Sequence, residues 1–384
     1  MPSRNKRILI TGGAGFIGTH LVNALSSRKW EVVVLDALIK QVHRSGRWNP
    51  PPHVKFIKGD VCNKSRVRES LEGVNYIVHL AAETGVGQSA YEISRYVKTN
   101  ELGTAVLLEE ASRVGDTLAG VVIASSRAIY GEGRYRCGTC GFFYPSLRKA
   151  DKLIKGIWEP QCPTCQRLAS PLSSVEEQTP NPVSVYGITK HNQEELLRQF
   201  SESFSIPAIA LRFQNVYGPG QSLTNPYTGI LALFSTRLLS GNPIYIYEDG
   251  NERRDFIYVE DTVQSIVLAL KKGFSKIYEV YNVGSGIGTS VEDIARLLLR
   301  IMKREVPVII AGKYRVGDIR HAWADITKIQ RDFDFKPRYP IERGLRIFAQ
   351  WARKQPLPID RYKKTEAELI NKGLLLESRE TSTD

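Results

Sequence analysis

The chain has 384 residues, 42% hydrophobic and 24% charged, which is too long for a single small core and matches an ordinary soluble globular protein with room for two interlocked lobes. Lysine and arginine total 53 against 40 acidic residues, a formal charge of +13, so an anionic partner is expected: nucleic acid, a membrane surface or a diphosphate-bearing small molecule. No run approaches the ~18 apolar residues of a membrane span, and the apolar run in MPSRNKRILITGG is too short for a signal peptide, so a cytosolic chain with reduced thiols is expected.

Residues Arg7–Ile10 read as a buried strand, followed by a glycine turn and an apolar-periodic helix from Phe16 to Ser27. EVVVLD (31–36), VKFIKGD (54–60), YIVHLAA (76–82) and GVVIASS (120–126) are further buried strands, with helical segments between most of them. Such alternation predicts a doubly wound parallel sheet. Segment 133–170 interrupts it with Cys, Gly, Pro and basic residues; a helix over 186–203 and the strand AIALRF (208–213) resume it. After about Gly218 the pattern is mixed, with a short strand PIYIY (243–247) and a helix over 290–303, which predicts a smaller second lobe to about residue 357. Residues 358–384 read as a polar tail with a mobile end. The division expected is therefore 1–132 with 171–217, an insertion at 133–170, a lobe at 218–357 with some segments returning to the main sheet, and the tail.

ITGGAGFIG (10–18) places Gly12, Gly15 and Gly18 between a strand and a helix. Glycines there let the backbone approach a pyrophosphate, and the helix start at Phe16, Ile17 and Gly18 offers N–H groups and a positive dipole end. Asp36 ends the next strand, 18 residues after Gly18, where a carboxylate accepts hydrogen bonds from an adenosine ribose and repels a 2′-phosphate. NAD is therefore expected rather than NADP. Asp60, Val61, Leu80, Ala81 and Ala82 sit at later strand ends, on the edge where ligands bind.

In SVYGITK, Tyr186 and Lys190 are four apart and share a helix face. A nearby ammonium favours the phenolate, giving a base for a sugar hydroxyl near neutral pH. Ser126, at its strand end, can hydrogen-bond the same oxygen. The Tyr-x-x-x-Lys pair is common in isolation and gains meaning from the glycine turn, Asp36 and SSRAIYG in this order.

With TGGAGFIG, HLAA, TNELGT, SSRAIYG, YGITK, RFQNVYGPGQ, RRDFIYVED, YNVGSG and RVGDIRHAWADITK all present, the chain resembles the extended short-chain dehydrogenases/reductases, in particular their nucleotide-sugar epimerases and dehydratases, over roughly residues 5–355. The resemblance implies an α/β Rossmann-type fold with a smaller mixed α/β substrate lobe. It makes Ser126, Tyr186 and Lys190 the catalytic triad and adds Asn100 to the cofactor residues. It assigns Asn215, Arg254 and Arg315 to the diphosphate of a sugar nucleotide, and Val86 and Gln88 to the sugar pocket, with Ser126 and Arg127 also facing substrate. Family members begin by oxidising the sugar at C4 with NAD. The dehydratases carry an Asp-Glu pair directly after the Ser/Thr, whereas Ser126 is followed by Arg127-Ala128. That leaves 4-epimerisation through a transient 4-keto sugar. The insert, AAETGVGQS and GDIRHAWADI resemble the enzymes described as dTDP-L-rhamnose 4-epimerases; another UDP- or GDP-linked sugar and a C4 oxidoreductase are the alternatives.

Cys137, Cys140, Cys162 and Cys165 form two Cys-x-x-Cys pairs separated by 21 residues, a structural-zinc pattern one residue longer than the usual spacer. Four thiolates close a tetrahedral shell, so zinc there is not catalytic. Ser126 and Tyr186 are 60 residues apart, so the zinc-ribbon-like insertion is expected beside the active site as a flap over the sugar pocket or a subunit contact. A binding protein with a nucleic-acid-touching ribbon is the rival class; the intact Ser126, Tyr186 and Lys190 and the sparse aromatics of the ribbon count against it. No nucleic acid or membrane partner is expected, and relatives imply a homodimer through helices near 101–114 and 186–203.

Overall fold

Apolar runs without polar alternation become strands covered on both faces in the computed structural model, which describes residues 6–28, 30–43, 46–225 and 229–378. Strand β1 (Arg7–Thr11) turns through glycines into α1 (Phe16–Ser26); β2 (Glu31–Asp36), β3 (Lys55–Lys58), α2 (Lys64–Ser70) and β4 (Tyr76–His79) follow. Short helices α3 (Val86–Ser89) and α4 (Ile93–Tyr96) lead through a π-helical stretch into α5 (Gly103–Ala111), then β5 (Gly120–Ser126). The insert carries β6 (Arg134–Cys137), β7 (Gly141–Phe143), α6 (Ala150–Leu153) and β8 (Ser170–Leu172). Helix α7 (Val185–Phe204) and β9 (Ala208–Phe213) return to the main frame. The second half adds β10 (Asn215–Tyr217), α8 (Ile230–Leu239), β11 (Ile244–Ile246), β12 (Arg253–Arg254), β13 (Phe256–Tyr258), α9 (Val259–Lys272), β14 (Tyr278–Val283), β15 (Thr289–Ser290), α10 (Val291–Met302), β16 (Val308–Ile310), β17 (Lys313–Arg315), α11 (Thr327–Phe333), α12 (Ile341–Arg353), α13 (Tyr362–Asn371) and β18 (Leu375–Glu377).

The main sheet has the order β14-β9-β5-β4-β1-β2-β3, with every adjacent pair parallel. Strand order reverses between β1 and β4, and a crevice opens there beyond the strand ends. One face packs against α1 and α9 through Leu21, Leu25, Ile266 and Leu270; the other packs against α2, α5 and α7 through Val67, Leu107, Leu197 and Phe200. A third core, built on Phe234, Leu238, Ile294, Leu298, Leu345 and Phe348, holds α8, α10 and α12 together over the crevice. Among the described residues no helix is long and apolar enough to cross a membrane.

One segment of the second half rejoins the main sheet, and one element differs from the sequence pattern. Strand β14 lies far past residue 218 yet closes the main sheet against β9, with Tyr281 opposite Leu211. Residues after 357 are not a tail: α13 buries Tyr362 and Leu369, seven residues apart and so on one helix face, and β18 buries Leu375 while pairing antiparallel with β17. Three apolar anchors among polar neighbours suffice to dock the segment, which composition alone hides. The mobile-end expectation falls largely on 379–384, outside the described residues.

Candidate active site

The glycine turn is dictated by contact. Gly12 has φ +70°, and a Cβ there would lie 2.7 Å from the Ala81 backbone nitrogen; one on Gly18 would lie 2.3 Å from the Gly12 carbonyl oxygen. No side chain caps α1, so Gly15, Phe16, Ile17 and Gly18 present its open N-terminus to a cavity of about 1050 Å³. Asp36 accepts hydrogen bonds from the N–H groups of Ala14 (3.1 Å) and Leu38 (2.8 Å), with His43 3.8 Å away. Each of its oxygens keeps a second lone pair for a ribose hydroxyl. This cradle fits the pyrophosphate and adenosine of a dinucleotide.

Ser126, Tyr186 and Lys190 line the same cavity. The start of α7 is fixed twice: the Ser184 hydroxyl accepts from Gly187 N–H (3.1 Å), and the Ser89 hydroxyl accepts from Tyr186 N–H (3.1 Å). Gly187 is required here, since a Cβ would sit 2.5 Å from the Ala128 carbonyl. Burial pushes the Tyr186 phenol above its ordinary value, opposed by its hydrogen bond with Ser126 and by the charge of Arg127. Lys190 instead donates to the Ala124 carbonyl (2.8 Å), and burial pushes it down to about 7 against the pull of Glu194. The Lys190 ammonium is thus held on β5, and the groups that lower the phenol directly are Ser126 and Arg127. One turn further along α7, Glu194 pairs with buried Arg212 (2.8 Å) and accepts from Ser125, which ties the helix to β5 and β9.

Three arginines converge on the far half of the cavity: Arg127, Arg254 and Arg315. Burial, then the charge of Arg254, depress Arg127 to about 10, and Arg315 contributes in the same direction. Arg127 donates to Asn215 Oδ1 (3.2 Å); Arg254 is aimed by the carbonyls of Ile319 (2.7 Å) and Arg320 (2.7 Å); Arg315 pairs with Asp318 (2.6 Å). Three converging guanidinium groups offer a site for an anion.

Not every expected residue reaches the wall. Val86, Leu80 and Ala82 line the cavity, but Gln88 does not: its amide is engaged by Gln41 (3.0 Å) and Glu92 (2.9 Å), which draw it into a buried polar cluster behind α3. Asn100, fully buried, accepts from Glu83 N–H (2.8 Å) and donates to Thr189 (2.9 Å), so it ties the loop after β4 to α7 from behind. Asp60, Val61 and Ala81 also stand off the cavity: the Asp60 carboxylate caps Cys62 N–H (2.9 Å), and Val61 fills the space against Gly103. Sequence reasoning missed Ser89, Asp318, Glu252 and the α13 residues Tyr362, Glu366 and Leu369, all of them except Ser89 on the wall. Asp318 lay inside a quoted motif; the α13 residues carried no motif. Glu252 is buried and pushed up to about 7, chiefly by burial and then by Glu248.

The four insert cysteines come together with every sulfur within 4.8 Å of the others, none in a disulfide. A tetrahedron of four thiolates around zinc has S···S edges of about 3.8 Å, so the cluster needs little adjustment to hold a metal. Backbone N–H groups of Cys140 and Thr139 lower the Cys137 thiol, and those of Cys165 and Thr164 hold Cys162 down at about 6, the two turns wrapping their sulfurs alike. The insert is not a flap: no residue of 133–170 lines the cavity among the described residues, and Tyr135 of β6 and Trp158 pack instead on His321 and Tyr314.

A doubly wound sheet with a dinucleotide cradle, a buried Ser-Tyr-Lys set and an arginine-lined recess defines an enzyme that couples a nicotinamide cofactor to an anionic substrate. The pattern of the NAD dependent epimerase/dehydratase family matches residues 8–145 and 163–284, leaving out 146–162 within the insert. The chain is 38% identical over 350 residues to dTDP-L-rhamnose 4-epimerase of Burkholderia thailandensis, covering 90% of this chain and 94% of that one. It superposes on a UDP-glucose 4-epimerase of Thermotoga maritima crystallised with UDP-glucose (TM-score 0.74, 30% identity, 91% and 99% of the two chains). It also superposes on a UDP-glucose 4-epimerase of Thermus thermophilus in complex with NAD (TM-score 0.73, 27% identity, 91% and 100%). The chain belongs to the NAD dependent epimerase/dehydratase family, and within it is an isomerase of the nucleotide-sugar 4-epimerase class.

Proposed function

We infer that the protein interconverts dTDP-L-rhamnose and dTDP-6-deoxy-L-talose by epimerisation at C4. The observation that carries the reading is Arg127, a half-buried cation on the cavity wall where dehydratases place a carboxylate acid. A site without that acid lacks the dehydratases' proton donor for a departing C6 hydroxyl but retains everything a C4 redox cycle needs. The relative named for dTDP-L-rhamnose supports the sugar and the nucleotide.

Arg127, Arg254, Arg315 and Asn215 bind the diphosphate and hold the sugar over Tyr186. The glycine turn, the start of α1 and Asp36 hold NAD, with Asn100 bracing the loop beside it. NAD held there would supply a reversible hydride acceptor for C4 of the sugar. Tyr186 Oη takes the C4 hydroxyl proton and gives it back, while Ser126 orders that oxygen. Lys190, poised near neutrality on the Ala124 carbonyl, supplies positive charge one helical turn from the phenol. The Cys137, Cys140, Cys162 and Cys165 cluster holds one structural zinc, which requires a compartment where thiols stay reduced.

Incubating the purified protein with dTDP-, UDP- and GDP-linked hexoses and reading products by NMR tests this. The expected outcome is a mixture of C4 epimers from dTDP-L-rhamnose, no net NADH absorbance, and a metal-to-protein ratio near one in the same sample. Net NADH would establish an oxidoreductase, and turnover confined to UDP or GDP sugars would move the substrate.

The same reading includes a homodimer. Ile93 (52% exposed), Leu102 (50%) and Ile188 (45%) stand out from helices that pack side by side, α4, the π-helical stretch before α5, and α7. A second copy of that face would bury them. Leu102→Glu should then give a monomer by light scattering; an unchanged mass would place the contact elsewhere.

A further inference from the structure

The buried charges of the insert have no part in the chemistry above, yet they end on the segment that aims the cavity arginines. Residues 318–321 form a strap. On its cavity side the strap's carbonyls at Ile319 and Arg320 receive both ends of the Arg254 guanidinium, and its Asp318 carboxylate holds Arg315. On its far side the strap is held by the insert and its root. Arg148 donates to the Asp318 carbonyl (2.9 Å), Glu132 accepts from Arg320 N–H (2.8 Å), and Glu159 accepts from Arg320 Nε (2.8 Å). His321 Nδ1 accepts from Arg253 N–H (3.1 Å), so its proton lies on Nε2, which donates to Glu159 (3.0 Å).

Glu248 locks the arrangement. It is a buried non-glycine residue at φ +49°, a conformation that needs compensation, and its carboxylate receives both Arg148 (2.7 Å) and Arg320 (2.9 Å). Arg148 and Arg320 are themselves 5% and 1% exposed, so these ion pairs are dry and directional. Arg148 and Glu159 both lie in the loop between Cys140 and Cys162. A metal on the four cysteines closes that loop and removes its freedom before the clamp forms.

We propose that the four-cysteine insert is a rear brace: with metal bound it presents Arg148 and Glu159 to the 318–321 strap, and through the strap it sets the positions of Arg254 and Arg315 for a nucleoside diphosphate. Arg148 and Glu159 are positioning residues; they touch neither substrate nor cofactor. The brace rests on the reading of the arginine recess as a diphosphate site and not on which sugar is converted.

The test uses the NAD-loaded, metal-loaded protein with dTDP and UDP as probes in calorimetric titration. Arg148→Met, and separately Glu159→Gln, should weaken binding of both probes by about tenfold, raise KM for the sugar nucleotide in step, and leave bound NAD and kcat near those of the parent. Chelating the metal from the parent should weaken the probes similarly, and chelation of Arg148→Met should add little, since both act through one strap. Folded variants that bind dTDP and UDP as the parent does would overturn the brace; if Arg148→Met does not fold, Glu159→Gln decides. A kcat loss at unchanged KM would also overturn it. A parent that converts no sugar nucleotide while the variants still lose the probes defeats the epimerase reading and leaves the brace standing; a parent that binds neither probe defeats the brace.

Discussion

Tyr186→Phe should lower kcat by about a thousandfold while NAD stays bound and KM for the sugar nucleotide changes little. The phenol is the cavity's one group that combines a hydrogen bond to Ser126, the charge of Arg127 and the support of α7. Removing its oxygen deletes the proton acceptor, yet the ring remains packed edge-on against Tyr96, with ring centres 6.4 Å apart, so the wall keeps its shape. Because burial raises the phenol's pKa, kcat should fall toward low pH as the phenol stays protonated, and a pH–rate profile of the parent reads this directly. Lys190→Met should move that profile alkaline, with a smaller loss of rate. A Tyr186→Phe protein with unimpaired turnover would remove the catalytic account, whatever the sugar.

Arg254→Met should raise KM for the sugar nucleotide by about 10- to 100-fold, the worth of one or two charge-assisted hydrogen bonds, with a smaller effect on kcat. Arg254→Lys should fall between, because an ammonium keeps the charge but loses the fork that spans the Ile319 and Arg320 carbonyls. Kinetics against substrate concentration separate this from Tyr186→Phe: one variant changes KM, the other kcat. Unchanged KM in Arg254→Met would take the diphosphate away from this recess.

Much of the frame was legible in the sequence because its signals are local. The strands of the main sheet are short runs that need no partner to be recognised, and Gly12 and Gly18 announce themselves through spacing that the close approach to Ala81 and the Gly12 carbonyl explains. Side-chain direction was not legible. Gln88 sits where a pocket residue is expected, but Gln41, 47 residues away, captures its amide. Lys190 shares the helix face of Tyr186 and still turns to the Ala124 carbonyl, since a buried ammonium takes the nearest acceptor. Asn100 was read as a cofactor contact and is a buried tether. The charge network around Glu248 joins residues from positions 132 to 320, and no periodicity encodes partners that far apart. The α13 wall escaped notice because a few buried side chains in a polar segment do not raise its apolar content.

Insert strands β6 and β8 run antiparallel, with Arg134 opposite Leu172. The polypeptide therefore departs from the main frame and rejoins it through one narrow doorway. A change confined to the cassette hung on that doorway would reach the substrate's anionic handle through residues 318–321, while Ser126 on β5 and Tyr186 on α7 stay anchored by the main frame.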